Sequence, residues 1–336
     1  MMKYFYLISI LFIGLITACN SSNTNDIHFP KEGTLIPELM PLQGITDPLR
    51  VEIKHPFLII QNSSKMKDSV FHIYDLTTNK LKNAFGVRGE GPKEFALPWM
   101  VQTYLPDLII VDKHSFNKYR IDKNGQPELT GSVEPQYINY VNEAAFINDS
   151  LFVIDAQYTG PYIHLCSMQD EVPKKSWKYR NPNMVDYYAD PNMGMIYANE
   201  SRIIFCYGYK KQIDFMDTEF NLIKSVKFDY NTGPVITPVS STPGEDKRSY
   251  VHSYLGKHYL YALFFGMTWN EYEANLTCNT FLEVFDLDGN PVVKYQLKGR
   301  RPVYFAVDEE TFTLYGTGDH GNPEDNLLVY KLKGLS

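Results

Sequence analysis

The segment Phe281-Leu-Glu-Val-Phe-Asp-Leu287 runs directly into the turn sequence Asp288-Gly289-Asn290. It is a short, mostly apolar run bounded by turn residues, which is the pattern of a β-strand. The Asp-Gly pair is a strong hairpin signal, because both central residues of a type I′ turn need a positive φ. The stretch therefore predicts a strand that ends in a tight turn.

This unit of strand and turn recurs along the chain. Measured at the last apolar residue before each turn, the units fall at Leu76, Ile121, Met168, Met216, Leu287 and Leu332. Four of the five steps between them are 45, 47, 48 and 45 residues long, the period of four-stranded propeller blades. The step from Met216 to Leu287 is longer and contains an insertion rich in Gly, Pro, Ser and Thr at residues 229–249.

Six units predict an all-β chain folded as a six-bladed β-propeller, with four antiparallel strands in each blade. The last unit has three evident strands, at residues 303–307, 311–315 and 327–332. The fourth must come from the N-terminal segment near residues 34–42, which closes the ring and removes its exposed edges. A pair of β-sandwiches would also explain many short strands, but not their spacing. We therefore predict one propeller domain over residues 34–336.

The first 18 residues have the pattern of a secretory signal peptide. Lys3 provides the positive charge, and residues 4–16 form an apolar stretch too short for a comfortable membrane span. The stretch ends in Ile16-Thr17-Ala18-Cys19, which resembles the lipobox of bacterial lipoproteins, where the cysteine is lipidated. Residues 19–33 are then predicted to be a lipidated flexible tether. The alternative is an ordinary N-terminal anchor helix with a chance cysteine.

Composition and motifs narrow the function classes. The net charge of −7 comes without any basic run, which argues against nucleic acid as a partner. The chain contains no H-E-x-x-H, no G-x-S-x-G and no P-loop sequence, so we assign no catalytic residue and no cofactor. Cys166 and Cys206 lie in apolar runs and are predicted to be buried thiols, although one disulfide remains allowed.

One segment carries a family resemblance. Phe85-Gly-Val-Arg88-Gly89-Glu90-Gly91-Pro92-Lys93-Glu94-Phe95 resembles the RGEGPxEF segment of the TolB-like six-bladed propeller lipoproteins common in Bacteroidetes. It is more distantly similar to the Gly-Pro-x-x-Phe segment of NHL repeats. The resemblance implies the propeller fold and a place in the cell envelope. The tether lacks the acidic run that resembles a surface-export signal of these lipoproteins, so we expect an outer-membrane position facing the periplasm.

The predicted loops differ between the two faces of the ring. If the strands of a blade are lettered A to D from the centre outward, the A–B and C–D turns are short, whereas the B–C and D–A connections are long. Elaborated loops usually carry the binding site of a scaffold. The residues of this face that suit glycan or peptide recognition are Arg88, Glu90, Tyr158, Tyr187, Tyr188, Trp269, Tyr272 and His320. Each of them could instead pack a loop onto the rim.

The sequence is compatible with two classes of function. We favour a binding or assembly module that is attached to the membrane by its lipid and presents the long loops to a glycan, a peptide or an envelope protein. The alternative is a propeller-type enzyme (a lyase, lactonase or glycosidase) with acids or a metal near the central channel. Asp319 and His320 are the best local candidates for a metal, but their Gly-, Pro- and Asn-rich surroundings favour a solvated loop.

The lipobox makes a direct prediction. Replacing Cys19 with Ala removes the thiol that would carry the lipid, so the Cys19→Ala protein should lose its lipid and leave the membrane fraction. Cell fractionation and gel mobility measure both effects. Unchanged membrane retention with unchanged mobility would show that Cys19 is not the anchor.

Overall fold

Short apolar strands that stack face to face build the blades. The structure is a computed structural model, and it describes residues 27–335 except 46, 64–68, 92–93, 136–140, 142, 156–161, 180–189, 229–245, 275–279 and 319–325. The described residues form six antiparallel sheets of four strands, one of them extended by a fifth strand, and these sheets are arranged as a propeller, which confirms the fold predicted from the repeat.

The strands follow one another outward in each blade and then step to the next blade. The N-terminal segment and the first blade contain β1 (Glu32–Leu35), β2 (Glu38–Pro41), β3 (Pro48–Lys54), β4 (Phe57–Asn62), β5 (Phe71–Asp75) and β6 (Leu81–Phe85). The next connection and the second and third blades contain β7 (Val87–Arg88), β8 (Glu94–Phe95), β9 (Pro98–Met100), β10 (Leu108–Asp112), β11 (Ser115–Ile121), β12 (Pro127–Val133), β13 (Glu143–Phe146), β14 (Leu151–Asp155), β15 (Tyr162–Ser167) and β16 (Lys175–Lys178). The last three blades contain β17 (Gly194–Ala198), β18 (Ile203–Tyr207), β19 (Gln212–Met216), β20 (Leu222–Lys227), β21 (Tyr250–Leu255), β22 (Tyr259–Phe264), α1 (Trp269–Ala274), β23 (Thr280–Asp286), β24 (Pro291–Leu297), β25 (Pro302–Asp308), β26 (Thr313–Gly318) and β27 (Asn326–Lys331).

Burial follows the position of a strand in its blade. All residues of the second strands β4 and β18 are buried, because both faces of these sheets pack on neighbouring blades. The outermost strand β12 has no buried residue. Cys166 in β15 and Cys206 in β18 are buried, as the sequence predicted.

The ring closes through the N-terminal segment, as predicted. Strand β2 pairs antiparallel with β27, from Glu38 opposite Val329 to Pro41 opposite Asn326, and is therefore the fourth strand of the last blade. Met40 points into the core beneath it and is 6% exposed, whereas its neighbour Leu39 is 53% exposed. The segment thus supplies both the backbone hydrogen bonds and the apolar cover that this blade lacks.

A second N-terminal strand was not predicted. Strand β1 pairs parallel with β24, so that the fifth blade gains a fifth strand. Just before it, the ring of Phe29 lies 5.4 Å from that of Phe285 and stacks on Phe228. Pairing therefore begins at Glu32, two residues before the predicted domain boundary at residue 34. This strand could not be recognised in the sequence, because it has few apolar residues and follows a polar stretch.

Neighbouring blades are also joined by side chains that bond to the backbone of the next blade. Gln61 of β4 donates to the Pro98 carbonyl (2.8 Å) and accepts the N–H of Met100 (3.1 Å). The corresponding bonds at the other junctions join Tyr104 to Ile147, Glu143 to Ile196, Tyr197 to Ser253, Glu309 to Lys257 and Thr317 to Leu49. They satisfy backbone groups of the inner strands and turns that the sheets leave unpaired.

The two faces of the ring carry different connections. One face has short turns, such as His55-Pro56 between β3 and β4. The opposite face, which we call the long-loop face, carries the connections from β6 to β9, from β16 to β17, from β20 to β21, and α1 between β22 and β23. Within the described residues, no helix has the length and apolar character needed to cross a membrane.

Ring closure by β2 can be tested with two neighbouring substitutions. Met40→Asp places a charge in the core cluster of the last blade, and we expect it to lower the free energy of unfolding by more than about 2 kcal/mol. Leu39→Asp is the matched control, with an expected change within about 0.5 kcal/mol because its side chain faces solvent. Thermal or urea unfolding of the protein lacking residues 1–26 measures both.

A truncation series gives an independent check. Removing residues 1–26 leaves β1 and β2 in place, whereas removing residues 1–42 exposes the edges of β24 and β27 and should cause aggregation. If both truncated proteins were equally soluble and equally stable, the ring would not depend on this segment.

Candidate functional site

The six inner strands surround a cavity of about 370 Å³ on the propeller axis. Each strand contributes lining residues, for example Arg50 from β3, Trp99 from β9, Glu143 from β13, Met195 from β17, His252 from β21 and Tyr304 from β25. The cavity is therefore positioned by the most rigid part of the fold and not by loops alone.

The cavity lies at the long-loop end of the axis. Arg50, Glu143, His252 and Tyr304 stand near the beginnings of their strands, where the chain enters from the long-loop face. Trp269, which opens α1 on the β22–β23 connection, also lines the cavity. A ligand would reach the cavity from the face on which the sequence predicts binding.

Gln102 forms part of the cavity wall at its deeper end. Its side chain accepts the N–H of Leu255 (3.3 Å) and donates to the Phe305 carbonyl (3.4 Å), so it ties three inner strands together across the axis. Nearer the short-turn face, Lys54 pairs with Glu52 (3.1 Å) and donates to the Leu105 carbonyl (2.8 Å). These buried polar groups are satisfied within the protein and hold the inner strands together.

Arg50 is half-buried at the cavity wall between two aromatic rings. Its Cζ atom lies 5.3 Å from the ring centroid of Trp99 and 4.8 Å from that of Tyr304, which are cation–π distances. Among the described residues, no carboxylate oxygen lies within 4.0 Å of its guanidinium. The rings fix this guanidinium in place but leave its hydrogen-bond donors without an acidic partner.

Arg301, which directly precedes β25, is the most buried charged group of the cavity. It is 2% exposed, and its Cζ lies 4.7, 4.9 and 4.5 Å from the rings of Phe265, Trp269 and Tyr272. Nη1 donates to the Pro302 carbonyl at 3.3 Å, whereas Nε is buried without a hydrogen-bond partner. Burial lowers the pKa of Arg301 to about 10, so it remains charged at neutral pH.

Burial favours the neutral forms of Glu143 and His252 in the lining near pH 7. Burial raises the pKa of Glu143 to about 8, and the nearby charge of Asp155 raises it further. The hydrogen bond that the Ile196 N–H donates to Oε2 (3.0 Å) and the charge of Arg50 both lower this pKa, but by less than burial raises it. Burial and the charge of Arg50 lower the pKa of His252 to about 3. The charge of the described lining therefore comes from two guanidinium groups.

The structure places the sequence-predicted site residues in three settings. Trp269 lines the cavity. Tyr272 is 3% exposed and packs on Phe265, and its buried hydroxyl has no partner. Arg88 and exposed Glu90 belong to the β7–β8 connection and do not line the cavity. The remaining candidates lie outside the described residues: Tyr158, Tyr187, Tyr188, His320 and, for the metal, Asp319.

The Arg88-Gly-Glu-Gly segment has a structural explanation. Gly89 donates its N–H to the Phe95 carbonyl (3.0 Å), and Gly91 donates to the Glu94 carboxylate (2.9 Å), so the loop folds onto itself. Gly86 has a φ of 78°, and a Cβ atom there would lie 2.8 Å from the ring of Phe95. The glycines are therefore required for the loop to close over a buried phenylalanine.

Sequence reasoning missed Arg50, Glu143 and Arg301. Each stands in or next to an inner strand, where a charged residue among apolar neighbours is the one available signal. In the described part of the chain, no group of three His, Cys, Asp or Glu side chains lies close enough together to hold a metal ion.

These observations define a six-bladed β-propeller with an aromatic and cationic cavity at one end of its axis. The chain belongs to the TolB-like 6-blade propeller-like family, which it matches over residues 34–310. The resemblance carried by the RGEGPxEF segment is thus confirmed. Among curated proteins, none matches the sequence.

Two solved structures from Bacteroides have the same fold. A protein of Bacteroides fragilis that is described as exported is similar at 11% identity and a TM-score of 0.56, over 89% of this chain and 97% of that one. A member of the DUF4221 family from Bacteroides vulgatus is similar at 12% identity and a TM-score of 0.58, with the same coverage of 89% and 97%. At these identities the likeness concerns the fold alone.

The protonated state of Glu143 predicts a pH dependence of stability. Its pKa is higher in the folded protein than in the unfolded chain, so the folded state binds the extra proton between about 4.5 and 8. The stability linked to this group is therefore fully present below pH 4.5 and is lost as the pH rises to about 8.

Glu143→Gln should remove this loss, because the amide oxygen still accepts the Ile196 N–H and cannot ionise. We expect the melting temperatures of the variant and the parent to be similar near pH 5, and the variant to be the more stable above pH 8. A difference that does not change with pH would show that Glu143 does not hold a proton in the folded state.

Proposed function

We propose that this protein is a membrane-tethered envelope lipoprotein whose propeller is a binding module, and that its ligand enters the central cavity from the long-loop face. The observation that carries the proposal is the cavity itself. All six inner strands line it, and Trp99, Trp269 and Tyr304 stand around two guanidinium groups. Ligand sites combine apolar and aromatic walls with a few fixed polar groups in this way.

The size of the cavity supports a small ligand or the end of a larger one. Its 370 Å³ falls near the lower end of the range of roughly 300–1,000 Å³ occupied by small-molecule sites. Of the ligand types that the sequence suggests, a sugar unit or a peptide terminus fits this space, and an envelope protein could insert one such group. Aromatic rings provide apolar contact area at a low entropic cost for any of them.

The proposed location rests on the N-terminal sequence and the structural neighbours. The lipobox ending at Cys19 supports lipid attachment, and a neighbour of the same fold is described as exported. We propose attachment to the outer membrane on its periplasmic side. Proteolysis of intact cells distinguishes this location from surface exposure.

One observation favours the competing enzymatic function. Glu143 is protonated at neutral pH and could act as a general acid in a lyase or glycosidase. Most glycosidases, however, use two carboxyl groups about 5–9 Å apart. In the described lining Glu143 is the one carboxyl group, so binding is the function that this geometry supports better.

Tryptophan fluorescence offers a direct binding assay. Of the three tryptophans, Trp99 and Trp269 line the cavity, whereas Trp177 packs against Tyr179 and Phe205 away from it. A Trp177→Phe protein lacking residues 1–26 therefore reports on the cavity alone. Glycan fragments and short peptides should be screened by this signal, together with thermal shift.

Trp269 is the predicted anchor for a ligand found in this screen. Trp269→Ala should weaken binding by about 2 kcal/mol, or roughly thirtyfold in affinity, since it removes one wall of the cavity. Tyr272→Phe is the matched control. It removes a buried hydroxyl that has no partner, so it should leave affinity unchanged and stability equal or higher. If Trp269→Ala lowers the melting temperature sharply while affinity holds, Trp269 is a packing residue.

A further inference from the structure

We propose that the ligand of the central cavity is a small organic anion, whose carboxylate or phosphate group binds Arg50 and Arg301 and whose body lies against Trp99, Trp269 and Tyr304. This inference rests on the proposed function and specifies the chemistry of the ligand. Its main support is the difference between Arg301 and two buried lysines of the protein.

Two lysines that are about as buried as Arg301 have carboxylate partners. Lys54 lies 3.1 Å from Glu52, and Lys211 lies 2.8 Å from Glu283, which also accepts a hydrogen bond from Tyr250. Arg301 is equally buried, yet no described carboxylate lies within 4.0 Å of it, and its Nε has no hydrogen-bond partner. A buried charge without a counterion is costly, and such groups are normally paired.

The contacts of Arg301 fix its position without neutralising its charge. Three aromatic rings and the Pro302 carbonyl hold it in position at the cavity wall. Cation–π contacts compensate part of the desolvation but do not satisfy N–H donors. The arrangement is that of a fixed cation that has no carboxylate partner among the described residues, and an anion bound in the cavity would supply its counterion.

Arg50 brings a second guanidinium to the same cavity. It lies beside Tyr304 of β25, the strand that Arg301 directly precedes, and β3 and β25 are neighbouring inner strands. Two arginines that line one cavity are well suited to an oxyanion, because the planar guanidinium can donate two parallel hydrogen bonds to a carboxylate or phosphate.

The described lining has no charge that would neutralise the two arginines. One oxygen of the Glu143 carboxyl group accepts the N–H of Ile196, and burial raises the pKa of this group to about 8, which favours its neutral form near pH 7. Trp99 and Tyr304 flank Arg50, while Trp269 flanks Arg301, so a flat or apolar body attached to the anion would contact rings on more than one side. A bare inorganic anion would leave these rings without a contact.

Matched charged and neutral probes test the inference. In the Trp177→Phe protein lacking residues 1–26, benzoate and phenyl phosphate should be compared with benzamide, and glucuronate with glucose. We expect at least one anion to bind at least about tenfold more tightly than its neutral counterpart, since hydrogen bonds to charged groups are the stronger ones. Preference for benzoate or for phenyl phosphate identifies the acidic group.

Substitution of Arg50 then locates the site. Arg50→Gln should weaken binding of the preferred anion about tenfold or more and leave its neutral counterpart unchanged. Arg120→Gln, which changes an exposed arginine on β11 outside the cavity, is the matched control and should have no effect. If Arg50→Gln fails to fold, Arg301→Lys serves instead, because it keeps the charge and removes the two-pronged donor.

The outcomes separate this inference from the proposed function. Equal affinity for charged and neutral members of each pair, or equal loss in the Arg120→Gln control, overturns the anion proposal while the cavity remains a binding site. No response to any anionic probe also overturns it. The proposed function fails as well if the glycan and peptide screen finds no ligand that changes the fluorescence of Trp99 and Trp269.

Discussion

Four residue pairs between β2 and β27 join the first described part of the chain to its end, and the ring of blades depends on them. A propeller has no lid or second layer to cover an open edge. Without this pairing, β27 would expose both its hydrogen-bonding edge and the apolar residues that Met40 covers. Every inner strand is positioned relative to the others by the closed ring, so the cavity on the axis is a consequence of closure.

The unpaired backbone groups of the inner strands explain why some polar side chains near the axis have a structural role. Each inner strand has a neighbour on one side alone, and the backbone groups facing the axis or the next blade need other partners. Gln61, Glu143 and Tyr197 are used in this way, and Gln102 joins strands across the axis. Arg50 and Arg301 are the cavity cations that have no carboxylate partner among the described residues, which is why they are the ones we assign to a ligand.

The fold was largely predictable from the sequence, because strand period and turn residues are local features that repeat. The closing strand could be expected near residues 34–42, since the last blade was one strand short, and it is β2 within that range. Strand β1 could not be assigned, because Glu32–Leu35 has no periodicity of its own and is held by β24. A parallel partner far away in sequence leaves no local signal.

The site was predictable to a smaller extent. Trp269 was identified from loop length and its aromatic side chain, and it does line the cavity. Arg50, Glu143 and Arg301 were missed because convergence at the axis depends on how six strands far apart in sequence are arranged around the ring. Periodicity tells which side of a strand a residue occupies, but not which residues of other blades it meets. Tyr272, equally prominent in sequence, lies beneath Arg301 and supports its position.

The N-terminal segment also determines how the protein responds to mechanical load. A pull on the chain ahead of Ile27 reaches the packing of Phe29 and the β1–β24 ladder first, and reaches β2 only after these have yielded. The four residue pairs of β1 must separate before the ring-closing strand carries tension. Strand β1 therefore protects the ring-closing strand β2 from a force applied to the N-terminus.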